Sequence, residues 1–383
     1  MLRVGFTQMG SKNWMGGYTY LKNISSVIKA RCRGKVLLKL ITYDDENLDH
    51  VDLSKFDQIL KIKKKNNLFN KFLNFIFNFS LNKIINNELD TYFDANNSSL
   101  FTKNKKIVSW IPDFQHKHLP NFFSFFGYWK RELSFKKKIF FQNNIIVSSN
   151  DAKKDCIRFY KKNPKQIHVV RFSIFTDPKN HINKLSYLRK KYKIEKKYIY
   201  VPNQFWAHKN HNLILNSLQY IKSKNKKVYN RLPQIIFTGI PFDNRNKEYS
   251  KDVFKRIHSP VFENKLKYLG VVPLDDVYKL NANCLCLINP SFFEGWSTTV
   301  EEAKSFGTPT ILSNIAVHKE QLPTSFFFNP KKHKELSKIL FHLVKKNDLF
   351  KRKDIKVVKK ENEKRDFEFS KQFFKAIKKS SNS

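Results

Sequence analysis

Cysteine is scarce, with four in 383 residues. They stand at Cys32, Cys156, Cys284 and Cys286, and no two form a Cys-x-x-Cys pair. That excludes a disulfide framework and zinc-finger spacing, and reads as reduced, buried thiols of a cytoplasmic protein. Cys284 and Cys286, two apart in "NCLCLINP", are expected on one face of a buried strand. Also missing is any apolar run of about 18 residues, so no transmembrane helix is expected. The opening "MLRVGFTQMG" lacks a leader-like apolar stretch and passes directly into a strand pattern. Acidic residues are few: 32 Asp and Glu against 73 Lys and Arg leave a formal charge of +41.

Such a surface attracts nucleic acids, anionic membranes and acidic polymers alike. The excess is mostly Lys, which travels with Asn, Ile and Phe, the mixture an AT-rich genome places at tolerant positions. No RNP-like aromatic strand or Arg-rich helix accompanies it, so no specific nucleic acid is expected as partner. An anionic membrane surface stays open, with peripheral placement on the inner face of the cytoplasmic membrane. The segment Ile62 to Leu89 carries Leu68, Phe72, Phe75, Ile76 and Phe79 beside Lys63, Lys64, Lys65 and Lys71. It reads either as a core-facing amphipathic helix or as a basic interfacial one.

With 41% hydrophobic residues, 37 of them Phe, the chain is globular, and its length favours two domains. Short β-branched runs, among them "KVLLKLITY", "KIVSWIP", "KYIYVPNQ", "PQIIFTG" and "PTILSN", alternate with helix-length segments. That is the pattern of parallel strands with crossover helices. An α/β fold of two domains follows: residues 1–176, residues 177–346 with the linker near Asp177, and a basic tail, 347–383. Phe367, Phe369, Phe373, Phe374 and Ile377 in the tail have helical spacing, which predicts a terminal helix packing back on the first domain.

The chemistry concentrates in "NPSFFEGWSTTVEEAKSFGTPTILSN", 289–314. A strand ends near Ser291, a loop carries Glu294, Gly295 and Trp296, and a helix opens with Ser297 or Thr298 as cap and stops at Gly307. Ligands of open α/β sheets bind beyond the carboxyl ends of strands. A helix N-terminus there offers amides and a positive dipole end to phosphate, here from Trp296 to Thr299. Glu294 and Glu302 flank that cradle and are placed to accept hydrogen bonds from ligand hydroxyls, a sugar on one side and a ribose on the other. Glu301 fits a capping box with Thr298 and is read as structural.

This stretch closely resembles the donor-binding signature of retaining glycosyltransferases of family 4, which have the GT-B fold: two Rossmann-like, doubly wound domains facing across a cleft. "VPNQFWAHKNHNLILNSL" is similar to the strand, loop and helix from which a lysine, here Lys209, reaches the donor diphosphate. The family's usual nearby arginine is replaced by Asn203 and Gln204, with Arg171 as the candidate substitute. "RVGFTQMGSKNWMGGYTY" resembles the first strand and glycine-rich turn, where Gly16 and Gly17 would approach phosphate and open a helix at Tyr18. "SWIPDFQHKHLPNFFS" matches the place of a histidine near the transferred sugar. His116 fits best and His118 is the alternative, with Asp113 orienting it or contacting acceptor.

The resemblance implies a retaining hexosyltransferase that moves a sugar from a nucleotide diphosphate donor, GDP-mannose-like or UDP-sugar, to a hydroxyl of a glycan or lipid-linked acceptor. Bacterial surface polysaccharide assembly is the implied setting. His116 and Glu294 would be catalytic. Gly16, Gly17, Lys209, Glu294, Gly295, Trp296, Ser297, Thr298, Thr299 and Glu302 would bind donor. No Asp-x-Asp triplet occurs, so neither a metal nor another cofactor is expected. Two alternatives remain: a nucleotide-sugar hydrolase or phosphorylase on the same fold, and a basic nucleic-acid-binding protein.

Overall fold

A computed structural model describes residues 1–10, 15–63, 79–95, 104–243, 245–345 and 350–381. The chain divides into two compact units, one of residues 1–117, 125–175 and 363–383, the other of residues 118–124 and 176–362. The short segment His118–Ser124 thus belongs with the second half of the chain. The final helix, Ile355–Ser381, contributes to both.

Among the described residues, the first unit carries a seven-stranded sheet. Its strands are β1 (Leu2–Thr7), β2 (Val36–Tyr43), β3 (Gln58–Ile62), β4 (Thr91–Asp94), β5 (Ile107–Ile111), β6 (Asn144–Val147) and β7 (Ile167–Val169). All neighbours pair parallel, in the order β3-β2-β1-β4-β5-β6-β7. The order reverses between β1 and β4. After β1, the helix Met15–Arg31 begins three residues earlier than the expected Tyr18, so Gly16 and Gly17 lie inside its first turn. A Cβ on Gly17 would stand 2.5 Å from the Gly10 nitrogen. Its lack of a side chain therefore lets this turn lie on the chain's own backbone. Residues 11–14, and Lys64, Lys65, Leu68, Lys71, Phe72, Phe75 and Ile76 of the expected amphipathic segment, lie outside the described residues. The described end of that segment, the helix Phe79–Glu88, turns Leu81 and Ile85 into the core. In the terminal helix, Phe373 stacks on Phe6 and Ser173 donates to Asp366.

In the second unit, β8 (Tyr198–Val201), β9 (Gln234–Phe237), β10 (Leu266–Tyr268), β11 (Cys286–Asn289), β12 (Thr310–Ser313) and β13 (Phe326–Phe328) run in the order β10-β9-β8-β11-β12-β13. They too pair parallel. The strands alternate with period two between the cores on the two faces: Ile199, Val201, Cys286 and Ile288 enter one, Tyr198, Tyr200 and Leu287 the other. Cys284 does not share a face with Cys286. It caps the preceding helix and packs in the opposite layer, because the strand begins only at Cys286. Strand order reverses between β8 and β11, so their following loops open the crevice where ligands of such sheets bind.

Candidate active site at the carboxyl edge of the second sheet

The loop after β8 ends in a turn, Ala207–Lys209, closed by Asn210 in the left-handed region (φ 55°). Asparagine tolerates that conformation, and the Asn210 amide donates to the carbonyls of Pro290 and Pro330. The backbone N–H of Phe292 donates to the His208 carbonyl at 2.8 Å. These bonds tie the loop after β8 to the loop after β11. In consequence Lys209 Nζ lies 2.7 Å from Glu294 Oε1, both side chains mostly buried.

Glu294 is also held by Ser291, whose hydroxyl donates to Oε1 at 2.7 Å. Burial works to raise its carboxyl, but the Lys209 charge leads the influences that bring it below the usual range. Nearby His318 is fully enclosed, its Nδ1 3.0 Å from the Ser313 hydroxyl. Burial depresses the imidazole to about 4, so it is neutral at physiological pH.

The helix Thr298–Phe306 has Ser297 as its cap, the hydroxyl accepting from the Val300 N–H. Asn289 donates to that hydroxyl at 3.0 Å, and Gln321 clasps Ser297 by both its N–H and its carbonyl. The expected box between Thr298 and Glu301 is therefore not formed. Glu301 instead pairs with Lys304 at 2.7 Å and accepts from Gln321 at 2.9 Å. The first turn, with Thr298 and Thr299, presents the positive end of the helix dipole beside Glu294. Trp296 is buried under Lys304, whose ammonium lies 5.8 Å from the ring centre.

Glu302, one turn in, is buried. Burial alone pushes its carboxyl up to about 8. The two glutamates are thus opposite in character: Glu294 is an ion with a cation beside it, and Glu302 keeps its proton at neutral pH.

The segment His118–Ser124 rests on the same loops. His118 is exposed with its ring 5.1 Å from Phe293, and Phe122 is 6.5 Å from Phe292. His116 is placed otherwise: it is fully buried in the first unit, with Nε2 3.0 Å from Glu132 and 3.3 Å from the Tyr160 hydroxyl. Burial lowers its pKa, against the pull of Glu132. This imidazole is a core group of the first unit, while within the second unit His118 lies beside Phe293 of the glutamate loop. Asp113 pairs with Arg131 at 2.6 Å, likewise in the first unit. Gly16 and Gly17 stand at the strand-order reversal of the first sheet.

Arg245 escaped the sequence reading. Its guanidinium lies 5.0 Å from the Trp206 ring, 5.5 Å from that of Phe123 and 3.5 Å from His208 Nδ1, braced by Asp243 at 3.2 Å. The available signal was an arginine in the loop after β9, in a chain that otherwise favours lysine.

Comparison with known proteins agrees with this architecture. Residues 187–363 match the family model of glycosyl transferases group 1. Over 209 residues the chain is 24% identical to O-antigen chain mannosyltransferase RfbU of Salmonella typhimurium, covering 51% of this chain and 52% of that protein. Over 53 residues it is 40% identical to O-antigen chain mannosyltransferase B of Escherichia coli, 14% of each. The chain thus spans about half, or less, of the length of these curated relatives. Anabaena Alr3699/HepE in complex with UDP and glucose superimposes with a TM-score of 0.66 at 14% identity, covering 95% of this chain and 99% of that one. At that identity the likeness speaks for the fold, which is GT-B.

Proposed function

We propose that this chain, whose residues 187–363 match the family model of glycosyl transferases group 1, is a retaining glycosyltransferase that moves a sugar from a nucleotide diphosphate donor to a hydroxyl of a glycan or lipid-linked acceptor. The observation that carries the reading is the joining of Lys209 to Glu294 at 2.7 Å, at the strand-order reversal and beside the N-terminus of Thr298–Phe306. A cation, a helix dipole and a carboxylate meet there with a second, protonated carboxyl one turn away. Both curated relatives are O-antigen chain mannosyltransferases, which supports a mannosyl donor and bacterial surface polysaccharide as the product.

In this reading the departing diphosphate is stabilised by Lys209 and by the Thr298 and Thr299 amides, preorganised groups aimed at developing negative charge. Arg245, beside His208, supplies the second cation in place of the arginine missing near Asn203 and Gln204. Its planar fork suits phosphate oxygens. Glu294 accepts hydrogen bonds from the sugar hydroxyls and Glu302 from the ribose, while His118 serves the sugar and acceptor side. Catalysis proceeds without a metal: activity abolished by EDTA and restored by a divalent ion refutes this part.

The test is calorimetric titration of GDP, UDP, ADP and CDP, followed by product analysis with and without a hydroxyl acceptor. One nucleotide is expected to bind, with binding lost in Glu302→Ala, and sugar is expected to appear on the acceptor. Equal weak binding of all four in wild type and variant overturns the reading. Release of free sugar regardless of acceptor assigns the site to a hydrolase.

A further inference from the structure

The helix Phe125–Phe141 in the first unit presents an exposed apolar ridge. Phe125 is 72% exposed, Phe126 83%, Trp129 43%, Leu133 62% and Phe140 80%. At about 100° per residue these five fall within an arc of about 100°, over a length of about 22 Å. The other side of the helix buries Glu132, Phe135, Lys138 and Ile139. Among the described residues, the ring contacts of Phe125, Phe126 and Trp129 are with one another and with Tyr128 of the same helix.

The charges bordering the ridge have one sign. Lys130 is exposed beyond one margin, and Lys136, exposed just inside the other, pairs with Glu132 at 3.4 Å by its flexible stem. The helix's acidic residue, Glu132, is turned inward. A second copy of the chain would set these lysines against their equivalents, with a net charge of +41 on either side, so self-association is electrostatically opposed. A convex row of Phe, Trp and Leu with lysines at its edges instead matches the boundary between headgroups and acyl chains of an anionic bilayer.

We propose that the Phe125–Phe141 helix docks this protein on an anionic phospholipid bilayer, with Phe126, Trp129, Leu133 and Phe140 seated below the headgroups and Lys130 and Lys136 among them. The proposal is independent of which donor the second unit takes. It assigns membrane contact to one exposed face, over and above the diffuse basic charge.

The test is co-sedimentation of the full chain with vesicles of phosphatidylcholine alone and of phosphatidylcholine with phosphatidylglycerol at equal parts, at about 0.1 M and 0.5 M salt. Wild type is expected to partition onto the anionic vesicles and to retain part of that binding in high salt. The triple variant F126A/L133A/F140A is expected to fall about 100-fold in partition coefficient. All three side chains are exposed, so thermal melting should show the fold kept. In a second measurement, vesicles brominated in the acyl chain quench tryptophan emission, and Trp129→Phe removes that quenching. Equal partition of wild type and triple variant overturns the proposal, because charge alone then binds. A dimer that dissociates on the triple substitution, with vesicle binding unchanged, also overturns it, since the ridge then belongs to a second copy.

Discussion

Replacing Glu302 by glutamine tests the most unusual group of the second unit. Burial raises its carboxyl from 4.5 to about 8. Between those values the folded chain holds a proton that the unfolded chain has released, so stability falls as pH rises. Each pH unit in that window costs about 1.4 kcal/mol. The penalty is absent below pH 4.5 and reaches about 5 kcal/mol, to order of magnitude, at and above pH 8. Glutamine has nearly the same shape and no proton to lose. Urea unfolding of wild type and Glu302→Gln should therefore nearly coincide at about pH 4 and diverge towards pH 8.5, with the variant the more stable. Titrations of other groups are common to both proteins and cancel in the difference. With a nucleoside diphosphate present, the gap should narrow, because ligand stabilises the wild type more than the variant. Ribose hydroxyls donating to the carboxylate favour its ionised form, so wild-type affinity should rise from pH 7 to 8 by up to about fivefold, while the variant's affinity is weaker and flat. A variant less stable than wild type at pH 8.5 without ligand would refute the reasoning, since the carboxylate would then be ionised and favourably held.

The remaining predictions concern groups around the same helix. Lys209→Met leaves the Glu294 carboxylate buried without its cation and should destabilise by about 3 kcal/mol at pH 7. Adding Glu294→Gln should recover most of that, as measured by a double-mutant cycle in urea. Because the Glu294 pKa is depressed, the wild-type contribution is present above pH 4.5 and lost as pH falls through the folded value. Ser297→Ala removes the cap of Thr298–Phe306 and should lower stability by about 1 kcal/mol in the same assay. Gly307→Ala meets two obstacles, φ at 64° and a Cβ 2.6 Å from Val358 Cγ2. A loss of about 2 kcal/mol or more is expected, and thermal melting at wild-type level would exclude the strain.

What was legible in the sequence was whatever depends on neighbours in the chain. Strands buried on both faces, such as Tyr198–Val201 and Thr310–Ser313, are uninterrupted apolar or β-branched runs, and they were found. Three missed strands are at sheet edges: Gln58–Ile62 leaves most of its residues exposed, and Leu266–Tyr268 and Phe326–Phe328 have three residues each. A fourth, Thr91–Asp94, is fully buried inside the first sheet, and its terminal Thr and Asp cut the apolar run to two residues. The burial of His116 was not legible locally. It turns on Glu132, sixteen positions away, which takes His116 and Lys117 together with Tyr160. Burial there favours the protonated carboxyl, and hydrogen bonds from Lys117, Tyr160 and His116 overcome it, down to about 2. An ion so strongly held fixes the turn Gln115–His118 and leaves His118, two residues on, to the glutamate loop. The exposed ridge was hidden for a different reason. In "FFGYWKRELSFKKKIFF" apolar residues occupy both the inward and the outward face, so periodicity yields no single stripe. With 37 phenylalanines in the chain, only the tertiary structure separates Phe135, which fills the core, from Phe126, which is 83% exposed.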